Sequence, residues 1–238
     1  MPDRPPSPPL SAPRPSALRP ERIAHRGAPR EFYENTLDGF VRALERGADA
    51  VELDVHKTRD DTVVIHHDAD VIVAPNTRAA ISTLTWADIC AVRLAGGAHI
   101  PTLAQVMDAV ADRATVYVEL KGDNVGEAAV HVARANGVHY AFHSFDHSAV
   151  LRLRASHPDL HYGALFDAGT PDVAVRIAEL EVRDIWPHWS LVNTELMSAA
   201  RGTGKRLLAW TVDDVADAAR LTALGVDGLC TDDVRILT

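Results

Sequence analysis

The chain has 238 residues, with 24 Lys+Arg against 33 Asp+Glu for a formal charge of −9, and 47% hydrophobic residues. Such acidity speaks against the concentrated basic footprint of a nucleic-acid surface, so no nucleic-acid partner is expected. No apolar run approaches the ~20 residues of a membrane-spanning helix, and the length allows one large domain or two small ones, an α/β barrel being among the single-domain options.

The first twenty residues hold eight prolines and no apolar stretch long enough for a signal-peptide core. They read as a disordered lead-in over 1–21, and the missing export signal favours the cytoplasm. From residue 22, short β-branched runs alternate with Ala/Leu-rich segments. Strands are predicted over 22–26, 50–56, 62–66, 114–120, 139–145, 161–166, 182–187, 206–212 and 227–231. Helices are predicted over 34–46, 102–112, 125–136, 146–156, 171–180, 193–202 and 213–224, with Gly47, Gly137 and Gly225 as stop signals. Alternation of this kind means βαβ units and a mostly parallel sheet. Counting 62–66 as an extension of the second strand leaves eight units, the number of a closed (β/α)8 barrel. An open doubly wound sheet is the alternative, but no GxGxxG follows the first strand. Residues 69–100 interrupt the alternation after the second strand with one helix at 85–92 and much loop, an insertion of a length more often functional than idle. Only Val234–Thr238 follow the last strand, so the final helix is expected to be vestigial. Cys90 and Cys230 have no CxxC spacing and read as reduced core thiols.

In a parallel barrel, functional groups sit at the C-terminal ends of strands, and residues two apart on one strand share a face. RIAHRG ends in His25 and Arg26. AVELDVHKT places Glu52 and Asp54 on one face and Val51, Leu53 and Val55 on the packing face. TVVIHHD delivers His66, His67 and Asp68, and TVYVELK delivers Glu119 and Lys121. Buried carboxylates are costly without a cation or base. Glu52, Asp54 and Glu119 together offer three hard oxygen donors for one divalent cation, Mg2+ or Ca2+; ion pairing with nearby Arg or Lys is the plainer reading of each acid alone. His25 and His67 at strand ends can shuttle protons near neutral pH. His66 and His143 are left undecided, and the other histidines are read as structural. Arg26 and Lys121 place positive charge where a phosphate needs it. Lys121 is one of only three lysines, against 21 arginines. Metal, paired imidazoles and cations together fit phosphoryl transfer.

The segment IAHRGAPREFYENTLDGFVRALERGADAVELDVHKTRDDTVVIHHD, followed in order by IPTLAQVMDAV, YVELKG, SFD, AWTVDD and GVDGLCTDD, resembles the glycerophosphodiester phosphodiesterases, metal-dependent TIM-barrel enzymes. The resemblance covers the chain after residue 21. It implies a TIM (β/α)8-barrel domain over 22–238 with 69–100 as a small lid, acting on a small-molecule glycerophosphodiester. It further implies His25 and His67 as the catalytic pair, Glu52, Asp54 and Glu119 as metal ligands, and Arg26 and Lys121 near the phosphate. Glu34, Asn35 and Thr36 fall on the Glu-Asn-Thr motif, where the Asn shapes the site. Trp210 matches an aromatic residue that faces the substrate. The chain departs from the family pattern at APNTRAAIST in the lid, at His56 where an amide is usual, and at Asp233-Val234 where a proline is usual. A lysophospholipase D-like enzyme of the same barrel, a non-catalytic phosphate binder and a sugar-phosphate aldolase or isomerase are the alternatives. For the last, the Gly-rich phosphate loop expected after the seventh strand is replaced by WTVDD.

Overall fold

The computed structural model describes residues 19–237, so most of the expected Pro-rich lead-in lies outside the described residues. Eleven strands follow in chain order: β1 (Glu21–His25), β2 (Ala50–Lys57), β3 (Val63–Ile65), β4 (Asp70–Ala74), β5 (Thr77–Ala80), β6 (Thr115–Leu120), β7 (Tyr140–Ser144), β8 (Tyr162–Phe166), β9 (Asp184–Pro187), β10 (Arg206–Ala209) and β11 (Gly228–Thr231). Eight of them pair in parallel as β1-β2-β6-β7-β8-β9-β10-β11, and β1 hydrogen-bonds both β2 and β11, which closes the barrel. Glu21, assigned to the lead-in by sequence, is the first residue of β1 and the register partner of Gly228. β3 folds back antiparallel on β2 through Val55↔Ile65, the extension the sequence predicts.

The helices are α1 (Leu37–Glu45), α2 (Trp86–Ala91), α3 (Leu103–Val110), α4 (Gly126–Asn136), α5 (His147–Ser156), α6 (Val173–Arg176), α7 (Thr194–Gly202) and α8 (Val215–Leu224). Their starts follow from capping chemistry. Thr102 and Gln105 form a reciprocal capping box on α3, Thr85 and Asp88 another on α2, and Asp146, Asn193 and Asp214 cap α5, α7 and α8. Gly137 and Gly225 end α4 and α8 in the left-handed conformation. α6 is far shorter than the predicted 171–180, because Pro171 and the left-handed Asp172 delay its start and no side chain caps it. A single 3-10 turn, Val234–Ile236, replaces the last barrel helix.

Outward-facing Val51, Leu53 and Val55 join the core between sheet and helices, as the alternation on β2 requires. Inside the barrel, each strand gives one residue to a buried ring: Ile23, Ala50, Tyr117, Ala141, Leu165, Trp186, Leu208 and Cys230. Beneath it, Tyr117 donates its hydroxyl hydrogen bond to Glu21 at 2.8 Å, and Arg206 pairs with Glu21 and, at 3.6 Å, with Asp184. Cys230 is the core thiol expected from sequence. Cys90 is exposed on α2, because that helix covers its own small core through Ile89 and turns Cys90 to solvent.

The insertion after β3 contains α2 as expected, together with a hairpin of β4 and β5 that the sequence reading leaves as loop. Its signal is weak: TRAA is a poor strand former, and Ile72 and Val73 break the in-out alternation by both facing solvent. Val71 and Ile81 pack with Ile89 of α2 in the small core of this insertion.

Candidate active site

The position two residues beyond each member of the interior ring lies one layer higher, at the C-terminal mouth of the barrel. Starting from Ile23, Ala50, Tyr117, Ala141 and Cys230, that step reaches His25, Glu52, Glu119, His143 and Asp232. Strand register links the groups side by side: His25 pairs with Glu52, Asp54 with Glu119, and Glu119 with His143.

His25 Nδ1 lies 2.7 Å from Asp232 Oδ1. Burial disfavours the charged ring, yet the hydrogen bond to Asp232 and the field of Glu52 outweigh it, so the His25 pKa stands above its ordinary value. Arg26 and Asn35 both take left-handed backbone angles, φ 52° and 57°, and the Asn35 N–H donates to the Arg26 carbonyl at 2.9 Å. Gly27 between them has no alternative, since a Cβ there would stand 2.8 Å from the Gly39 backbone. Strain of this kind is characteristic of functional loops. Here it delivers Arg26 Nε to 3.2 Å and Asn35 Nδ2 to 2.8 Å from Asp54 Oδ2. Glu34 steadies the guanidinium at 3.1 Å. Thr36 caps α1, accepting the Gly39 N–H.

Lys121 reaches Glu119 at 2.9 Å and Asp54 Oδ1 at 3.4 Å. Asp54 Oδ1 is buried and has no hydrogen-bond donor. Glu52 faces His143 Nε2 at 3.5 Å; burial pushes its carboxyl up, but His143, His25 and Arg26 prevail and hold it at about 2. Glu119 is raised to about 7, by burial first and then by the Asp54 charge, against the pull of Lys121. His67 follows β3 with its Nδ1 2.9 Å from Asp68 Oδ1, and its carbonyl accepts from His56 Nε2 at 3.2 Å. His56 thus supplies the donor an amide could supply at that position. His66 donates its N–H to the Asp54 carbonyl.

Trp210 anchors its indole on the Trp186 carbonyl at 2.9 Å and meets Phe145 edge-on, with ring centroids 5.5 Å apart. The Lys121 ammonium stands 6.0 Å from the Phe145 ring. A groove of about 580 Å³ meets the site at Glu119 and Lys121 and runs outward past Phe145, Asp146 and Arg152.

Among the described residues, donor atoms of Glu52, Glu119 and His143, all buried, gather within 4.8 Å of one another. Asp54, the third acid expected to share a cation, stands among Arg26, Asn35 and Lys121, with its Oδ1 facing Lys121 at 3.4 Å without a hydrogen bond. The donor set fits a divalent cation: two buried carboxylates, an imidazole, and a third buried acid alongside. His143 and Asp232 are the groups that sequence reasoning did not assign.

The sequence profile described as the Glycerophosphoryl diester phosphodiesterase family matches residues 25–236. A glycerophosphodiester phosphodiesterase of Caldanaerobacter subterraneus is 30% identical over 230 residues, covering 90% of this chain and 95% of the relative. Among solved structures, the glycerophosphodiester phosphodiesterase of Thermotoga maritima superposes with a TM-score of 0.76 at 27% identity, over 91% of this chain and 96% of that one. A phosphodiesterase of Oleispira antarctica, solved with the product sn-glycerol-3-phosphate, superposes with a TM-score of 0.79 at 23% identity, over 92% and 96%. A closed parallel barrel, a phosphate-compatible mouth and a profile match over nearly all the described residues agree: the chain belongs to the glycerophosphoryl diester phosphodiesterase family, and is an enzyme that hydrolyses phosphoric diesters.

Proposed function

We propose that this phosphodiesterase hydrolyses glycerophosphodiesters to glycerol 3-phosphate and an alcohol, with His25 and His67 as the acid–base pair and one divalent cation held by Glu52, Asp54 and Glu119. The observation that carries the reading is the side-by-side placement of His25, Glu52, Asp54 and Glu119 on adjoining strands, with Arg26 and Lys121 against the same acids. The oxygen donors alone suit Mg2+ or Ca2+. A bound cation supplies charge stabilisation to the phosphate oxygens.

Arg26 and Lys121 share the negative charge that grows in the transition state, and Asn35 fixes Asp54. One imidazole takes the proton of the nucleophile, either water or the glycerol 2-hydroxyl of the substrate, and the other protonates the departing alcohol. Attack by the hydroxyl gives a cyclic phosphate that water then opens. Asp232 and Asp68 orient the two rings through their Nδ1 atoms.

A lysophospholipid substrate is favoured by one feature. Phe32, Tyr33, Ile72, Val73 and Phe145 are exposed on the loop after β1, on the lid and on the loop after β7. Turnover on a panel of glycerophosphodiesters and lysophospholipids, with Mg2+, Ca2+ or chelator, separates the two. Full activity in excess chelator would overturn the metal reading, and full activity of His67→Ala the acid–base assignment.

A further inference from the structure

The ring of His143 is buried on β7, where no acid–base or phosphate contact uses it. It stacks on Trp186 with centroids 4.5 Å apart and planes 30° from parallel. Space for that stack comes from Gly163, the register partner of His143 on β8: a Cβ there would meet Trp186 Nε1 at 2.7 Å and His143 Cβ at 3.1 Å. The barrel is therefore built to hold this imidazole in place. Yet its Nδ1 has no hydrogen-bond partner, and its Nε2 has only Glu52 Oε1 at 3.5 Å. That separation is long for a hydrogen bond, and leaving a buried ring so poorly satisfied is costly. Two donors about 2.1 Å from a common ion stand at such a spacing. Glu119, beside His143 in register, completes a set of two carboxylates and one nitrogen.

We propose that His143 is a nitrogen ligand of the active-site cation, and that it tilts the site from Mg2+ and Ca2+ toward first-row transition dications. The proposal rests on the metal reading of the site given above. The chemical ground is the donor type: carboxylate-only sets suit hard cations, while imidazole favours the later transition ions. His143 brings an imidazole nitrogen within 4.8 Å of a carboxylate oxygen of both Glu52 and Glu119.

The test is calorimetric titration of metal-free protein with Mg2+, Ca2+, Mn2+ and Co2+, repeated on His143→Gln, with the visible absorption of bound Co2+ as a second readout. His143→Gln is expected to weaken Co2+ binding by about tenfold or more, to leave Mg2+, Ca2+ and Mn2+ within a few-fold, and to change the Co2+ spectrum. An unchanged ratio of Co2+ to Mg2+ affinity overturns the proposal. A third measurement needs no variant: in 15N-histidine-labelled wild-type protein, Zn2+ should move the His143 Nε2 resonance, and an unmoved resonance at saturating Zn2+ also overturns it. If the wild type binds none of these cations, the metal reading fails with it. If cations bind but His143 is indifferent, only the proposal fails.

Discussion

His25 Nδ1 and Asp232 Oδ1 lie 2.7 Å apart across the seam where the last barrel strand meets the first. The carboxylate stabilises the protonated ring, so Asp232→Asn should lower the His25 pKa. The sign is the same whichever role His25 plays, but the limb differs. If His25 acts as the acid, the alkaline limb of the kcat/KM profile moves to lower pH; if it acts as the base, the acidic limb does. A pH–rate profile unchanged by Asp232→Asn would remove His25 from proton transfer. Replacing either His25 or His67 by Ala should cost about 10²–10⁴ in rate.

Asn35 holds Asp54 from a left-handed backbone, which makes two substitutions informative together. Asn35→Gly keeps the backbone and removes the donor, for a loss of about 1.5–3 kcal/mol expected of a hydrogen bond to a charged group. Asn35→Ala adds left-handed strain of about 1–2 kcal/mol. Denaturant unfolding should rank the proteins wild type, Gly, then Ala; equal stability of the two variants would contradict the backbone argument.

Gly163→Ala tests the stacked pair from its far side. The added methyl must displace Trp186 or His143, and overpacking of this kind costs about 1–3 kcal/mol. Thermal unfolding should show the loss, and near-UV circular dichroism the disturbed Trp186. A variant as stable as wild type would mean that the ring pair has room to spare.

Glu31, on the loop that carries Arg26, accepts from Arg46 at 3.0 Å and from Arg42 at 2.8 Å. Arg46 first, then Arg42, draw its carboxyl from the usual 4.5 down to about 2. A depressed acid stabilises the fold above its ordinary pKa, and that contribution fades as pH falls toward the depressed value. Glu31→Gln should therefore lower the Tm at neutral pH, with the deficit closing between pH 4.5 and about 2. A deficit that persists at the acid end would point to packing instead of charge.

The barrel was legible because the strands carry their alternation locally and most helices carry a capping residue or a terminating glycine. Glu52 with Asp54 and Glu119 with Lys121 were legible for the same reason: spacing of two on one strand is visible in a single segment. His143 and Asp232 have no such local pattern. The partner of Asp232 lies 207 residues away in sequence, and the meaning of His143 depends on Glu52 and Glu119 on other strands. The two-residue step above the interior ring would have found both, but the ring itself emerges only when eight strands are aligned. The lid hairpin and the exposure of Cys90 depended on how a small satellite core packs, which residues 69–100 do not announce by period.

The interior ring also fixes the traffic of the enzyme. Tyr117 and Trp186 pack in the buried interior ring, and Arg206, Glu21 and Asp184 are tied together below it, so the barrel is filled beneath the acids of the mouth. On the proposed function, substrate and products therefore pass through the C-terminal mouth of the barrel. The phosphate-bearing product held against Arg26 and Lys121 is then the deeper one and is expected to leave last. Product-inhibition patterns read that order directly, with the deeper product competing against substrate for the empty site.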